Sequence, residues 1–589
     1  MPAAPAGAVG PLPLEELFDT TAVSDDARPC EADFDGLGAS LSAQDLTAAG
    51  WTPGRAITVL GARLTWPRWR PGAPDNVRAA GQDVRLDGHG DALAFLVAGT
   101  GGTEAGGTGT VEYADGTLSL YRLTAFDWRR GPLGTKAVAL PHVNSPGGQL
   151  AEKARLYVVT VPLVAGREVA SVQLPYATDL HVFAMSVRAT TREWTGSWAT
   201  GTSGYAAVGP WTDLTLRLVV HTSAGGPRVR LRFDNTFAAT PVRIGGATVA
   251  VQASGATARG TPEPLAFGGA AGVEIPAGAQ SFSDPLVFAV PADANLLVSF
   301  HLPGTVAAVP VHRLAGQRSY VSGAGDHTAD GSDTAYAPTL TSWPLLTGVD
   351  VGDGPGSVVL VGDSITDGDR STVDANRRWP NALSTRLLRQ SAVPRYGVLN
   401  EGISGNRVVT DRYPGDGVST DSAGVSALNR FDRDVLAQTS ARTAVLFEGV
   451  NDVLGGASAQ QVIAGLRELA GRGHARGVRM LAATLLPCGG RSRCTAAVDA
   501  ERVAVNAWIR DAGVFDGVLD FDCVLRDPAS PARILPAYDS GDHLHPGDAG
   551  LAVLAESVDL RLLSDYTSRS TTTGAWSEAP LPLRSSRST

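Results

Sequence analysis

Ser364 lies in Gly362-Asp363-Ser364-Ile365-Thr366-Asp367-Gly368, directly after the apolar run 357–361 (SVVLV). Asn400-Glu401-Gly402-Ile403-Ser404-Gly405-Asn406-Arg407 follows a second apolar run, and Glu448-Gly449-Val450-Asn451-Asp452 a third. Asp542-His543-Leu544-His545-Pro546 precedes the last helical pattern. Together these stretches hold a hydroxyl, a glycine turn, a carboxamide and a carboxylate–imidazole pair. That set suits acyl transfer through a nucleophile, a base with its orienting acid, and donors for an oxyanion.

Each piece alone has a plainer reading. Ser364 after a strand is usually a helix N-cap. Gly405 is a turn glycine, and Asn451-Asp452 a turn or cap. Asp363-x-x-x-Asp367-Gly368 has a faint calcium-loop spacing, but Ile365 stands where an oxygen ligand is needed. Pro546 is more informative: it keeps His545 out of the helical region and itself suits the first turn of the following helix. Asp542, three residues back, is within reach of that ring. His543 is a rival base, and Asp452 suits holding the Asn451 loop better than reacting.

The elements that must position these groups follow from pattern. From about 15 to 345, short alternating runs such as 56–60, 92–97, 155–159, 214–219, 229–233 and 296–300 sit between turn residues. They predict two β-sandwiches, divided near 190. Gly352-Asp353-Gly354-Pro355-Gly356 reads as a linker. After it, strands at 357–361, 396–400, 444–447, 478–486 and 517–521 alternate with helices at 380–390, 459–471, 496–511 and 548–563. Such alternation predicts a parallel sheet with helices on both faces, and ligands bind at the carboxyl ends of its strands. Residues 1–13 and 566–589 read as a disordered lead and tail.

In this order, at strand ends, the motifs resemble the SGNH hydrolase (GDSL esterase/lipase) family, over about 355–565. Its four name-giving residues match Ser364, Gly405, Asn451 and His545, and its triad acid matches Asp542. The resemblance implies an α/β three-layer, flavodoxin-like domain with a five-stranded parallel sheet. It also implies a triad of Ser364, Asp542 and His545, and an oxyanion hole from Ser364 N–H, Gly405 N–H and the Asn451 amide. No metal or organic cofactor is required. Residues 191–347 look like the jelly-roll-like sandwich preceding this domain in many actinobacterial members. Residues 15–190 are similar to galactose-binding-like modules of bacterial glycan-active enzymes. The implied activity is hydrolysis of carboxylic esters through an acyl-enzyme, with small acyl groups on carbohydrate favoured by analogy. A lipid esterase, or a glycan-binding protein with an inactive hydrolase domain, are the alternatives. The first sandwich, set apart by the second, is expected to bind glycan and to be dispensable for small esters.

The rest of the sequence narrows the classes. The 589 residues carry 49 basic and 59 acidic groups, a net of −10, which disfavours nucleic acid as a partner. Lys136 and Lys153 are the two lysines. Gly101 and Gly106 have P-loop spacing, but Gly107-Thr108 stands where Lys-Ser/Thr is needed. Thr366 occupies the place of the second glycine in an α/β-hydrolase elbow. No apolar run is long enough to span a membrane, and the start lacks the features of a signal peptide. Cys488 and Cys494 flank a short Gly/Arg/Ser loop and predict a disulfide; Cys30 and Cys523 could then join the first domain to the catalytic one. Disulfides fit an exported protein. Trp66 and Trp69 offer a sugar-binding face, with core packing as the alternative. Trp379 is placed to line the acyl pocket, or to staple its helix.

Overall fold

Strand Ala92–Gly99 illustrates how the amino-terminal half is built, since all eight of its residues are buried. Strand side chains alternate between faces. Leu93, Phe95 and Val97 enter a core with Val111, Tyr121 and Val172. Ala94, Leu96 and Ala98 enter another with Leu156 and Phe183. The computed structural model describes residues 11–564 except 69, 71 and 103. The expected tail, most of the lead, and Trp69 lie outside them.

The first sandwich packs a five-stranded antiparallel sheet on a four-stranded one. The former holds Lys136–Leu140, Ala154–Pro162, Ala92–Gly99, Tyr176–Arg188 and Val77–Ala80 in that order. The latter holds Asp83–His89, Glu168–Gln173, Ala105–Tyr113 and Leu118–Ala125. The second sandwich is dominated by two long antiparallel partners, Gly204–Thr222 and Ala294–His312.

One hairpin crosses the boundary expected near 190. Strands Ala56–Val59 and Ala62–Thr65 pair with each other, and Thr58 lies opposite Gln280. The hairpin thereby extends a sheet of the second sandwich. The Trp51 indole donates to the Ala277 carbonyl at 2.9 Å. Trp51, Trp66 and Phe183 share one continuous core with Phe233 and Phe300. The first segment also touches the catalytic one directly: Arg188 Nη2 donates to Leu436 O at 3.0 Å, and Arg476 Nη2 to Thr160 O at 2.8 Å. The expectation of a detached first module is therefore corrected. Its apolar hairpin is buried by the next sandwich, so the chain divides near 190 but the core does not.

After Gly352 comes the α/β unit. Its strands are β1 (Ser357–Gly362), β2 (Gly397–Gly402), β3 (Ala441–Phe447), β4 (Arg479–Ala483) and β5 (Gly517–Leu519). They are parallel, in the order β2-β1-β3-β4-β5. Period-2 alternation again feeds two cores. Val358 and Leu360 of β1 pack with Leu383 and Leu387 of helix Trp379–Leu388 and Leu554 of helix Asp548–Ser557. Val359 and Val361 pack with Leu466 and Leu469 of helix Ala459–Ala475 and Val505 of helix Ala496–Asp511. Ser458 and Gln461 close a capping box ahead of Ala459, which satisfies amides the helix start leaves open.

Candidate active site

β1 ends at Gly362, and Asp363 caps the one-turn helix Ser364–Asp367 by accepting from Ile365 N. Gly368 ends that turn at φ +99. Ser364 is thus held at the carboxyl end of a central strand, 4% exposed. Its Oγ lies 2.7 Å from His545 Nε2. His545 Nδ1 lies 2.6 Å from Asp542 Oδ2. A carboxylate oxygen facing Nδ1 keeps the proton there, which leaves Nε2 free to accept from the hydroxyl. Asp542 Oδ1 accepts from the Leu544 and His545 amides at 3.0 and 2.9 Å. Burial alone would raise this carboxyl. The amide and ring of His545 outweigh burial and hold it at about 2.

The expected oxyanion donors lie on neighbouring strand ends. Gly405 follows β2 with φ +80, and a Cβ there would stand 3.0 Å from the Ala423 Cβ. The positive φ favours glycine, and the Ala423 contact leaves a side chain little room. Asn451 is the second residue of the short helix Val450–Leu454 after β3. Its Nδ2 is buried and has no hydrogen-bond partner. An orphaned buried amide donor is costly unless something accepts from it. Asp452 holds the adjoining loop, accepting from Val408 N and Val409 N at 2.8 and 3.0 Å.

Three expectations change on contact with the fold. The His543 ring bonds to Asp539 Oδ2 at 2.6 Å, so this rival base is already engaged. Trp379 is fully buried against Phe447 and Phe521, with its indole on Thr366 Oγ1. It belongs to the core rather than to an acyl pocket, because its helix packs flat on the sheet. Cys30 and Cys523 are both free and exposed, and do not link the first segment to the catalytic one. The contacts between those units include instead those of Arg188, Arg476, Lys136 and Lys153.

Cys488 and Cys494 form a disulfide. The loop it closes carries Arg491, whose Nη1 donates to Asp542 O at 3.3 Å and lies 3.4 Å from Asp542 Oδ2. Among the described residues, one group could hold a metal, Cys488, Cys494 and Asp499; both of its sulfurs are spent in the disulfide. No helix among them is long and apolar enough to cross a membrane.

Beneath the site lies a residue the sequence did not single out. Arg430, fully buried, comes from helix Ala427–Phe431, which continues as a π turn through Leu436. It donates to Gly362 O at 3.0 Å, Glu401 O at 2.6 Å and Asn406 Oδ1 at 2.8 Å. It also reaches Asp434 at 3.1 Å and Glu448 at 3.4 Å. One guanidinium therefore ties the ends of β1, β2 and β3 together. No local motif announces it, since its partners lie as far apart in the chain as Gly362 and Glu448.

Glu448 carries a testable pH dependence. Burial pushes its carboxyl up to about 8, with Arg430 opposing, and its Oε1 has no partner. A glutamate with an unfolded value of about 4.3 then binds a proton in the fold but not in the unfolded chain between these values. Its contribution to stability is intact below about 4.3 and is lost as pH rises towards 8, by on the order of a few kcal/mol. Glu448→Gln is expected to flatten the fall in Tm between pH 5 and 8. An unchanged slope in thermal melts across that range would refute this.

Two family models match parts of the chain. Residues 360–553 match the model of the GDSL-like lipase/acylhydrolase family, and residues 8–191 that of an AziU2-like β-sandwich domain. The carboxyl-terminal part of the chain is thus a GDSL-type hydrolase domain, preceded by β-sandwich structure. No curated protein matches the chain. Similar solved structures include a GDSL-like lipase from Bacteroides thetaiotaomicron, 19% identical over 35% of this chain and 87% of that one, with a TM-score of 0.27. A member of the lipolytic protein G-D-S-L family from Veillonella parvula is 17% identical over 34% and 94%, with a TM-score of 0.26. An acetylxylan esterase from Geobacillus stearothermophilus is 20% identical over 36% and 94%, with a TM-score of 0.27.

Proposed function

We propose that this GDSL-type hydrolase is a serine esterase that works through an acyl-enzyme at Ser364. Its preferred substrates are small acyl esters, acetyl foremost, on carbohydrate hydroxyls. The observation that carries the reading is the unbroken hydrogen-bond line from Ser364 Oγ through His545 to Asp542. Ser364 Oγ attacks the ester carbonyl while His545 Nε2 takes its proton. Asp542 steadies the resulting imidazolium. The oxyanion is received by the Ser364 and Gly405 amides and by the Asn451 side chain. His545 returns the proton to the leaving alcohol, and water repeats the sequence to free the acid and restore the serine.

The surroundings favour a polar alcohol. A cleft of about 580 Å3 opens at Gly405, lined by Ser203, Arg313, Arg412, Thr420, Asp421 and Ser422 among others. Its polar side chains are of the kind that hydrogen-bond sugar hydroxyls. For the first segment the reading assigns glycan binding to a second cleft, of about 570 Å3, lined by Asp33, Asp35, Arg78, Thr100 and Asp179 among others. Trp66 plays no part in it, being fully buried. The disulfide supports work outside the cell.

The test is a panel of p-nitrophenyl acetate, butyrate and octanoate alongside acetylated polysaccharides. Turnover is expected to fall as the acyl chain lengthens, with acetate released from a polymer. A maximum at octanoate would favour a lipid esterase. Polymer binding without hydrolysis of any ester would mean that the hydrolase domain is inactive.

A further inference from the structure

The last residue of strand Ala294–His312 leaves the second sandwich and enters the catalytic unit. The His312 side chain is 2% exposed, and its Nε2 lies 3.1 Å from Oδ1 of Asp367, 3% exposed. Its Nδ1 lies 2.9 Å from Gly201 O, and Nε2 also lies 3.2 Å from Leu314 O. Carbonyl oxygens accept and never donate. Both ring nitrogens must therefore donate, so the ring is an imidazolium facing a carboxylate. Burial opposes that charge, but Asp367 outweighs it and the ring's pKa is raised.

Asp367 uses its other oxygen too: Oδ2 accepts from Ser404 N at 2.9 Å. Ser404 immediately precedes Gly405, and Asp367 closes the turn that Ser364 opens. The charged groups packed around the ring are Asp367 and Arg378, the latter set over Trp343, against which His312 itself lies. Its chain neighbour Arg313 reaches instead to Thr420 O.

We propose that His312 is a positioning residue of the esterase site: through Asp367 it locks the oxyanion loop at Gly405 to the nucleophile turn at Ser364. The second sandwich then completes the site, rather than only carrying it. The proposal rests on the serine-esterase reading above, and its test separates the two.

The full-length protein is treated with a fluorophosphonate, in which Ser364 Oγ displaces fluoride from phosphorus, and labelling is followed by intact mass. Steady-state hydrolysis of p-nitrophenyl acetate is measured beside it. His312→Gln, matched to the wild type by circular dichroism, is expected to lower both the labelling rate and kcat by on the order of ten- to a hundredfold. KM should stay within about twofold, since the His312 side chain is buried behind Asp367 and does not itself line the cleft at Gly405. A generally loosened fold would lose stability without that split. Wild-type kcat in folded His312→Gln would overturn the proposal. If that variant does not fold, Asp367→Asn decides: it keeps an acceptor for Ser404 N but cannot hold the ion pair, and wild-type kcat there overturns the proposal equally. Failure of the wild type to label at Ser364 would instead overturn the esterase reading.

Discussion

Ser364→Ala is expected to lower ester turnover by on the order of 10⁴–10⁶ while leaving the fold intact. The size follows from what the hydroxyl does. It is the atom that bonds to the acyl carbon, and His545 Nε2 lies 2.7 Å away to take its proton. The fold is spared because the turn is held by its backbone and by the Asp363 cap, not by the serine oxygen. Asn451→Ala is expected to cost less, about 10²–10³, as one donor among three. It should not weaken the native state, since Nδ2 has no partner to lose. The measurements are kcat on p-nitrophenyl acetate and a thermal melt of each variant. A Ser364→Ala protein keeping a tenth of wild-type turnover would remove Ser364 as nucleophile.

A chain beginning at Thr191 is expected to be insoluble or inactive, even towards small soluble esters. Such a cut removes Ile57 and Leu64 of the crossing hairpin together with Trp51 and Trp66, all buried in the shared core. Burying a side chain of this kind is worth about 1.5–3 kcal/mol. Losing four contacts of that size approaches the whole net stability of a typical domain, about 5–15 kcal/mol. The cut also leaves Gln280 at a bare strand edge and Ala277 O without its indole donor. Exposed edges of that kind invite aggregation. Size-exclusion chromatography and p-nitrophenyl acetate hydrolysis on the shortened protein give the answer. A soluble monomer with full-length kcat would show that the shared core is unnecessary for the site.

The α/β unit was legible because its signals are local. Apolar runs such as 357–361 must be buried strands, and amphipathic stretches such as 459–471 must be helices between them. Parallel pairing then brings the strand ends, with Ser364, Gly405 and Asn451, to one edge. The Pro546 constraint sets His545 on a loop beside its acid. Even the Cys488–Cys494 bridge was readable, because six positions of glycine-rich chain bring two sulfurs together easily.

What remained hidden was long-range. The run 56–60 reads as an ordinary strand, and nothing in its alternation says which sheet will accept its edge. Trp379 has the right position for a pocket, but its helix packs that face onto Phe447 and Phe521. Arg430 and His312 have no motif, since their roles depend on carbonyls and carboxylates that only the assembled chain brings within about 3 Å. Periodicity reports whether a residue is buried. Which partner it is buried against is settled by competition among all the faces of the folded chain, and that competition has no local signature.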